Sequence, residues 1–187
     1  MIQKLPNILT LLRIPLLFAI LLVSELRINY AYTIILVLLV VSMITDFLDG
    51  FLARKLNVVS NFGKIADPLL DKLFILGLLM WMLTVGIIPS WNLVIVLLLL
   101  LRELAVTGLR GGGSSGKETF GADWFGKWKT TLLFLSLFLF LIGEMVNEDY
   151  GVQGRVPGIF EYAGIAMLWL GSVLGLYSGF RYFKRFA

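Results

Sequence analysis

Four aspartates, Asp46, Asp49, Asp67 and Asp71, fall within 26 residues of an otherwise apolar stretch. A carboxylate at bilayer depth costs kilocalories unless it has a partner, so four this close together imply a cation. Asp46 and Asp49 are spaced i,i+3, and Asp67 and Asp71 are spaced i,i+4, which sets each pair on one face of a helix. Two such helices facing each other would offer four carboxylates to one or two hard divalent ions. An all-oxygen ligand set suits Mg²⁺, Mn²⁺ or Ca²⁺. The chain has no histidine and no cysteine. Disulfides, thiolate chemistry and the commonest general base are therefore excluded. Acid–base work falls to carboxylates, Lys or Tyr.

The elements that must position these groups are membrane helices. The chain has 187 residues, 59% of them hydrophobic, and a mean hydropathy of +0.92. Apolar runs of roughly 20 residues, the length that crosses a bilayer, recur throughout. The expected fold is an all-α integral membrane protein, a single domain over residues 1–187 with six transmembrane helices. The spans fall near 9–25, 32–55, 64–86, 91–110, 127–146 and 158–183. Residues 1–8 form a short interfacial lead-in, with Pro6 breaking the chain before the first span. Arg13 interrupts the first apolar stretch and no small-x-small cleavage site follows, so that segment is expected to be retained. Pro15 lies in the first span, where a kink is tolerated. Gly86–Ser90 reads as a tight turn and Asn147–Pro157 as a polar loop. Trp81, Trp91, Trp124 and Trp128 fall near span ends, as interfacial tryptophans do.

Charge sets the orientation. Fourteen of the sixteen basic residues lie on the side that carries both termini and the connections between spans 2 and 3 and spans 4 and 5. Arg27 and Arg155 lie on the other side, with Glu25, Glu144, Glu148, Asp149 and Glu161. The positive-inside rule then places both termini in the cytoplasm and the aspartates near the cytoplasmic face. Most of the basic excess reads as topology, with membrane lipids of negative charge opposite it. No nucleic-acid partner is expected. Arg102 differs, because it sits inside an apolar run two turns before Arg110, the pattern of a charge facing a polar cavity.

The segment Asp46–Asp71 has the form D-x2-D-G-x2-A-R-x8-G-x3-D-x3-D. It resembles the signature of the CDP-alcohol phosphotransferase family, with every defining position matched, and the likeness extends over nearly the whole chain. That resemblance implies Asp46, Asp49 and Asp67 as ligands of one or two Mg²⁺ or Mn²⁺ ions. It implies Asp71 as general base, and also as a metal contact. The donor would be a CDP-linked lipid whose diphosphate the metal neutralises, easing the departure of CMP. Gly50 would let the nucleotide approach the backbone. Ala53 is small on the face of Asp49, Arg54 would pair with a phosphate oxygen, and Gly63 would leave room for cytidine. By themselves, Gly50 and Ala53 would read as close helix packing by small residues.

Three shorter stretches refine the resemblance: Leu5–Arg13, Arg102–Arg110 and Gly126–Thr130. Together they are similar to the branch whose acceptor is glycerol 3-phosphate. The implied reaction joins CDP-diacylglycerol and glycerol 3-phosphate to give phosphatidylglycerophosphate and CMP. Asn7 and Thr10 would help hold the nucleotide. Arg102, Arg110, Lys127 and Lys129 would hold a dianionic acceptor, which needs cations that an uncharged acceptor does not. Glu103 would orient Arg102. The family likeness also implies a homodimer in a bacterial cytoplasmic membrane, with Gly164, Gly171 and Gly175 as candidate contacts between copies.

Two other functions fit parts of the pattern. One is the same chemistry with another alcohol acceptor, phosphatidylglycerol or inositol phosphate. The other is a divalent-cation transporter, disfavoured because the acidic cluster lies at one face with no matching polar residues in the opposite half. Gly111–Lys117 nearly spells a nucleotide-binding loop, but Glu118 stands where Ser or Thr should bind magnesium and no strand precedes it.

Overall fold

Every long apolar run forms a helix. The computed structural model describes residues 11–26, 28–56, 61–112 and 124–186. Within those ranges the side chains of residues 47, 49–56, 61–68, 109–112, 125, 185 and 186 lie outside the described set. The long helices are Arg13–Glu25 (α1), Ala31–Leu56 (α2), Asn61–Thr84 (α3), Leu93–Gly112 (α4), Trp124–Glu144 (α5) and Arg155–Phe186 (α6). They match the six expected segments in order and approximate extent. Among the described residues, three helical stretches are long and apolar enough to cross a membrane: Ser90–Gly108, Gly126–Asp149 and Arg155–Lys184. The described part of α1 has 13 residues. The described apolar stretch of α2 is Ala31–Asp46. Length and composition thus show a helical membrane protein.

The turns follow local chemistry. Gly86 adopts φ +85°, a left-handed conformation that glycine takes without a Cβ clash. It lets the backbone N–H of Ile88 bond the carbonyl of Met82 at 3.1 Å, closing α3 before the turn at Pro89. Pro15 falls in the first turn of α1, where its missing N–H leaves no hydrogen bond broken.

The core is a set of inward stripes at helical spacing. Ile20 from α1, Ile35 and Leu39 from α2, Leu78 and Met82 from α3, Leu99 from α4, Leu137 and Leu141 from α5 and Leu168 from α6 are all fully buried. Opposite faces stay apolar and outward: Phe18, Leu22, Val94, Leu101, Val173 and Phe180 are exposed. An outward apolar surface of this extent suits hydrocarbon rather than water.

Two expectations are corrected by packing. Trp81 is not at the surface. It is buried, and its indole Nε1 donates to Ser24 Oγ at 3.2 Å. Trp91, Trp124 and Trp128 are exposed as expected. The glycines expected between copies are instead used inside the chain. A Cβ on Gly164 would lie 3.0 Å from the Phe140 ring, and one on Gly171 would lie 3.2 Å from Leu132 Cβ. One on Gly175 would lie 2.9 Å from Lys129 Cδ. These positions let α6 pack closely on α5, the usual use of small residues between membrane helices.

Candidate functional site

Arg13 enters the bundle from the start of α1 and is only 3% exposed. Its guanidinium pairs with Asp46 Oδ1 from α2 and with Asp71 Oδ1 from α3. An unpaired buried cation would be strongly unfavourable, so this contact requires the two aspartates to meet. The two halves of the acidic motif do therefore face each other across α2 and α3. The same two carboxylates, hard oxygen donors brought to one cation, fit a divalent ion of the Mg²⁺ or Mn²⁺ class. Asp49 lies on the helical backbone of α2 and Asp67 on that of α3. Their side chains are outside the described set, as are those of Ala53 and Arg54 and the surroundings of Gly50 and Gly63. Asn7 and Thr10 lie outside the described residues altogether.

A second charged group lies beside the first. Glu103 of α4 is 4% exposed. Its Oε1 accepts from Arg102 Nη1 at 2.5 Å and from Lys129 Nζ of α5 at 2.5 Å. Its Oε2 faces Lys72 Nζ of α3 at 3.6 Å. Lys72 also donates to Thr107 Oγ1, which donates to the Glu103 carbonyl at 2.7 Å. Arg102 Nη2 donates to Ser178 Oγ of α6 at 3.2 Å. Four helices are thus tied through one carboxylate. Among the described contacts, three cations gather on this one carboxylate, a concentration of positive charge that suits an anionic ligand.

A cavity of about 140 Å³ joins the two groups. Asp71 and Lys72 form part of its wall, with Glu103, Lys129 and Thr130 also lining it and Ile75, Leu76, Leu99 and Leu133 completing it. Its volume is below the range typical of drug-sized ligands and suits a small molecule. Of the four basic residues expected to hold an acceptor, Lys129 lines this cavity. Arg102 lies behind it, against Glu103 and Ser178. Lys127 is exposed, and no described contact joins its side chain to the group. Arg110 is on α4 with its side chain outside the described set.

Sequence reasoning missed two parts of this arrangement. Lys72 is, in sequence, only one of the fourteen basic residues of one side, though it directly follows Asp71. The sequence suggests that Glu103 orients Arg102 alone, whereas it also holds Lys129 and faces Lys72. A carboxylate inside an apolar run was the available signal.

The opposite end of the bundle is tied separately. A π-helical turn, Met145–Asp149, follows α5 and brings Asp149 to the start of α2. Asp149 accepts from Thr33 N at 2.6 Å, Thr33 Oγ1 at 2.7 Å and Tyr32 N at 3.4 Å. A carboxylate there satisfies orphan N–H groups and complements the helix dipole.

The family model for CDP-alcohol phosphatidyltransferase matches residues 3–177. A Bacillus subtilis protein named CDP-diacylglycerol–glycerol-3-phosphate 3-phosphatidyltransferase is 33% identical over 149 residues, covering 80% of this chain and 71% of its own. A Rickettsia typhi protein of the same name is 32% identical over 184 residues, covering 97% of this chain and 96% of its own. A third so named, from Cereibacter sphaeroides, is 27% identical over 176 residues, with 80% of each chain covered.

Proposed function

Since the chain belongs to the CDP-alcohol phosphatidyltransferase family, we propose that it transfers the phosphatidyl group of CDP-diacylglycerol to glycerol 3-phosphate, releasing CMP. The relatives that bear this activity in their names support the reading. The observation that carries it is the small cavity with Asp71 on its wall beside Lys129 and Lys72. A phosphate held by those two ammonium groups would direct its glycerol hydroxyl toward the Asp71 carboxylate. Orientation of this kind supplies much of the rate in phosphoryl transfer.

The residues divide the work. Lys129 and Lys72 bind the acceptor phosphate. Glu103 holds both lysines in place, and Arg102 braces Glu103 from behind. Arg110 and Lys127 add positive charge at the cytoplasmic ends of α4 and α5. Asp71 takes the proton as the glycerol oxygen attacks the phosphatidyl phosphorus. The new P–O bond forms as the bond to CMP breaks, with no phosphoryl-enzyme between. Asp46, Asp49, Asp67 and Asp71 would hold Mg²⁺ or Mn²⁺, which supplies charge neutralisation of the diphosphate. Gly50, Ala53, Arg54, Gly63, Asn7 and Thr10 receive the CDP moiety.

All six helices span the cytoplasmic membrane with both termini inside. The charge balance supports this orientation, since the acidic residues Glu25, Glu148 and Asp149 line one cavity at the end away from Asp71. The test is direct. Purified protein is incubated with CDP-diacylglycerol, Mg²⁺ or Mn²⁺ and a panel of alcohols, and the lipid product is identified by mass spectrometry. Phosphatidylglycerophosphate is expected. A product formed only from another alcohol would refute the acceptor assignment.

A further inference from the structure

The last helix carries no part of the acidic motif, yet one of its faces meets both Arg102 and Lys129. Gly175, Ser178 and Gly179 are spaced i, i+3, i+4 and so share that face. A Cβ on Gly179 would lie 2.8 Å from Arg102 Cγ and 3.0 Å from Arg102 Nε. One on Gly175 would lie 2.9 Å from Lys129 Cδ, 3.2 Å from Lys129 Cγ and 3.3 Å from Leu99 Cδ1. Between them, Ser178 Oγ accepts from Arg102 Nη2 at 3.2 Å. The contacted atoms belong to the stems of two side chains whose heads are both pinned on Glu103 Oε1. Such a stem cannot swing aside without pulling its head from the carboxylate. Arg102 and Lys129 share Glu103 Oε1, and Glu103 and Lys129 both line the cavity beside Asp71, so moving either stem disturbs that wall.

We propose that Gly175, Ser178 and Gly179 are positioning residues for acceptor binding. Their missing or short side chains leave a channel in α6 through which Lys129 and Arg102 reach Glu103. This rests on the acceptor site assigned above. Gly164 and Gly171 lie on the same helix but meet Phe140, Leu132 and Leu133. Gly164 supplies the comparison, because a Cβ there presses on Phe140 and leaves the cations alone, whereas Leu133 beside Gly171 lines the cavity.

The whole chain is assayed as wild type and as Gly179→Ala, Gly175→Ala, Ser178→Ala and Gly164→Ala. For each, the KM of both substrates, kcat and the thermal midpoint are measured. Alanine is the better helix former, so Gly179→Ala is not expected to unfold the helix. It should raise the acceptor KM about tenfold, the scale of one lost charge-assisted contact, with the KM for CDP-diacylglycerol unchanged. Ser178→Ala adds no atom and should raise the acceptor KM by a smaller factor, so the idea stays testable if both glycine variants fail to fold. Gly164→Ala should shift the midpoint and leave the acceptor KM alone. An unchanged acceptor KM in Gly179→Ala, or in Ser178→Ala where the glycine variants do not fold, overturns the proposal. So does an equal rise in Gly164→Ala. If the wild type uses a different alcohol, the acceptor assignment fails. The variants are then compared on the alcohol it does use, where a selective rise still supports the positioning role and its absence overturns it.

Discussion

Replacing Glu103 with Gln should destabilise the protein more than any single change among the cations it holds. The carboxylate is 4% exposed and takes two charged donors at 2.5 Å on one oxygen, with Lys72 3.6 Å from the other. Gln keeps the shape and one acceptor oxygen but removes the only described negative charge from this group. Breaking a buried pair costs about 3–5 kcal/mol, because the remaining charges stay buried without compensation. The retained oxygen points to the lower end, about 3 kcal/mol. For a chain of this size that corresponds to a fall of about 6–12 °C in the melting temperature. The assay is thermal unfolding of the purified protein in detergent, with and without glycerol 3-phosphate. A bound dianion replaces the lost counter-charge, so the ligand should raise the midpoint of Glu103→Gln by more than it raises that of the wild type. A variant that melts with the wild type, or one that gains no more from the ligand, would refute the idea that Glu103 is the counter-charge of a dianion site.

Lys129→Ala should behave oppositely, because Glu103 keeps Arg102 and Lys72. The acceptor KM should rise roughly tenfold with the donor KM unchanged, measured by steady-state kinetics. A rise in the donor KM alone would assign this lysine to the CDP-lipid. Asp46→Asn should abolish turnover, and chelation should do the same to the wild type with recovery on adding Mg²⁺ or Mn²⁺. Full activity in chelator would exclude a metal requirement. Asp71→Asn should lose most turnover while still binding CDP-diacylglycerol, and a chirally labelled donor should show inversion at phosphorus in the wild type. Retention would require a covalent intermediate. Asp149→Ala should lower stability by about 1 kcal/mol through loss of the α2 cap, read as a lower melting temperature with both KM values unchanged.

The order and approximate ends of the described helices were legible in the sequence because each depends on local composition. An apolar run near 20 residues forms a helix whatever it later packs against. The aspartate spacing likewise placed Asp46 and Asp71 on helices before any packing was known. That these two meet, and that Arg13 reaches them both, is a tertiary fact. So is the gathering of Lys72, Glu103, Lys129 and Ser178, which are contributed by four helices and separated by up to 106 positions. Their convergence depends on how each helix is rotated about its axis. The weakly amphipathic membrane segments do not encode that rotation, since lipid-facing and core-facing residues are equally apolar. Trp81 shows the same limit. Its position near a span end suggested the interface, but the rotation of α3 turned it inward to Ser24. Gly164, Gly171 and Gly175 read in sequence as a surface for another copy, and only the packing of α6 showed that α5 and the stem of Lys129 already fill the space they leave.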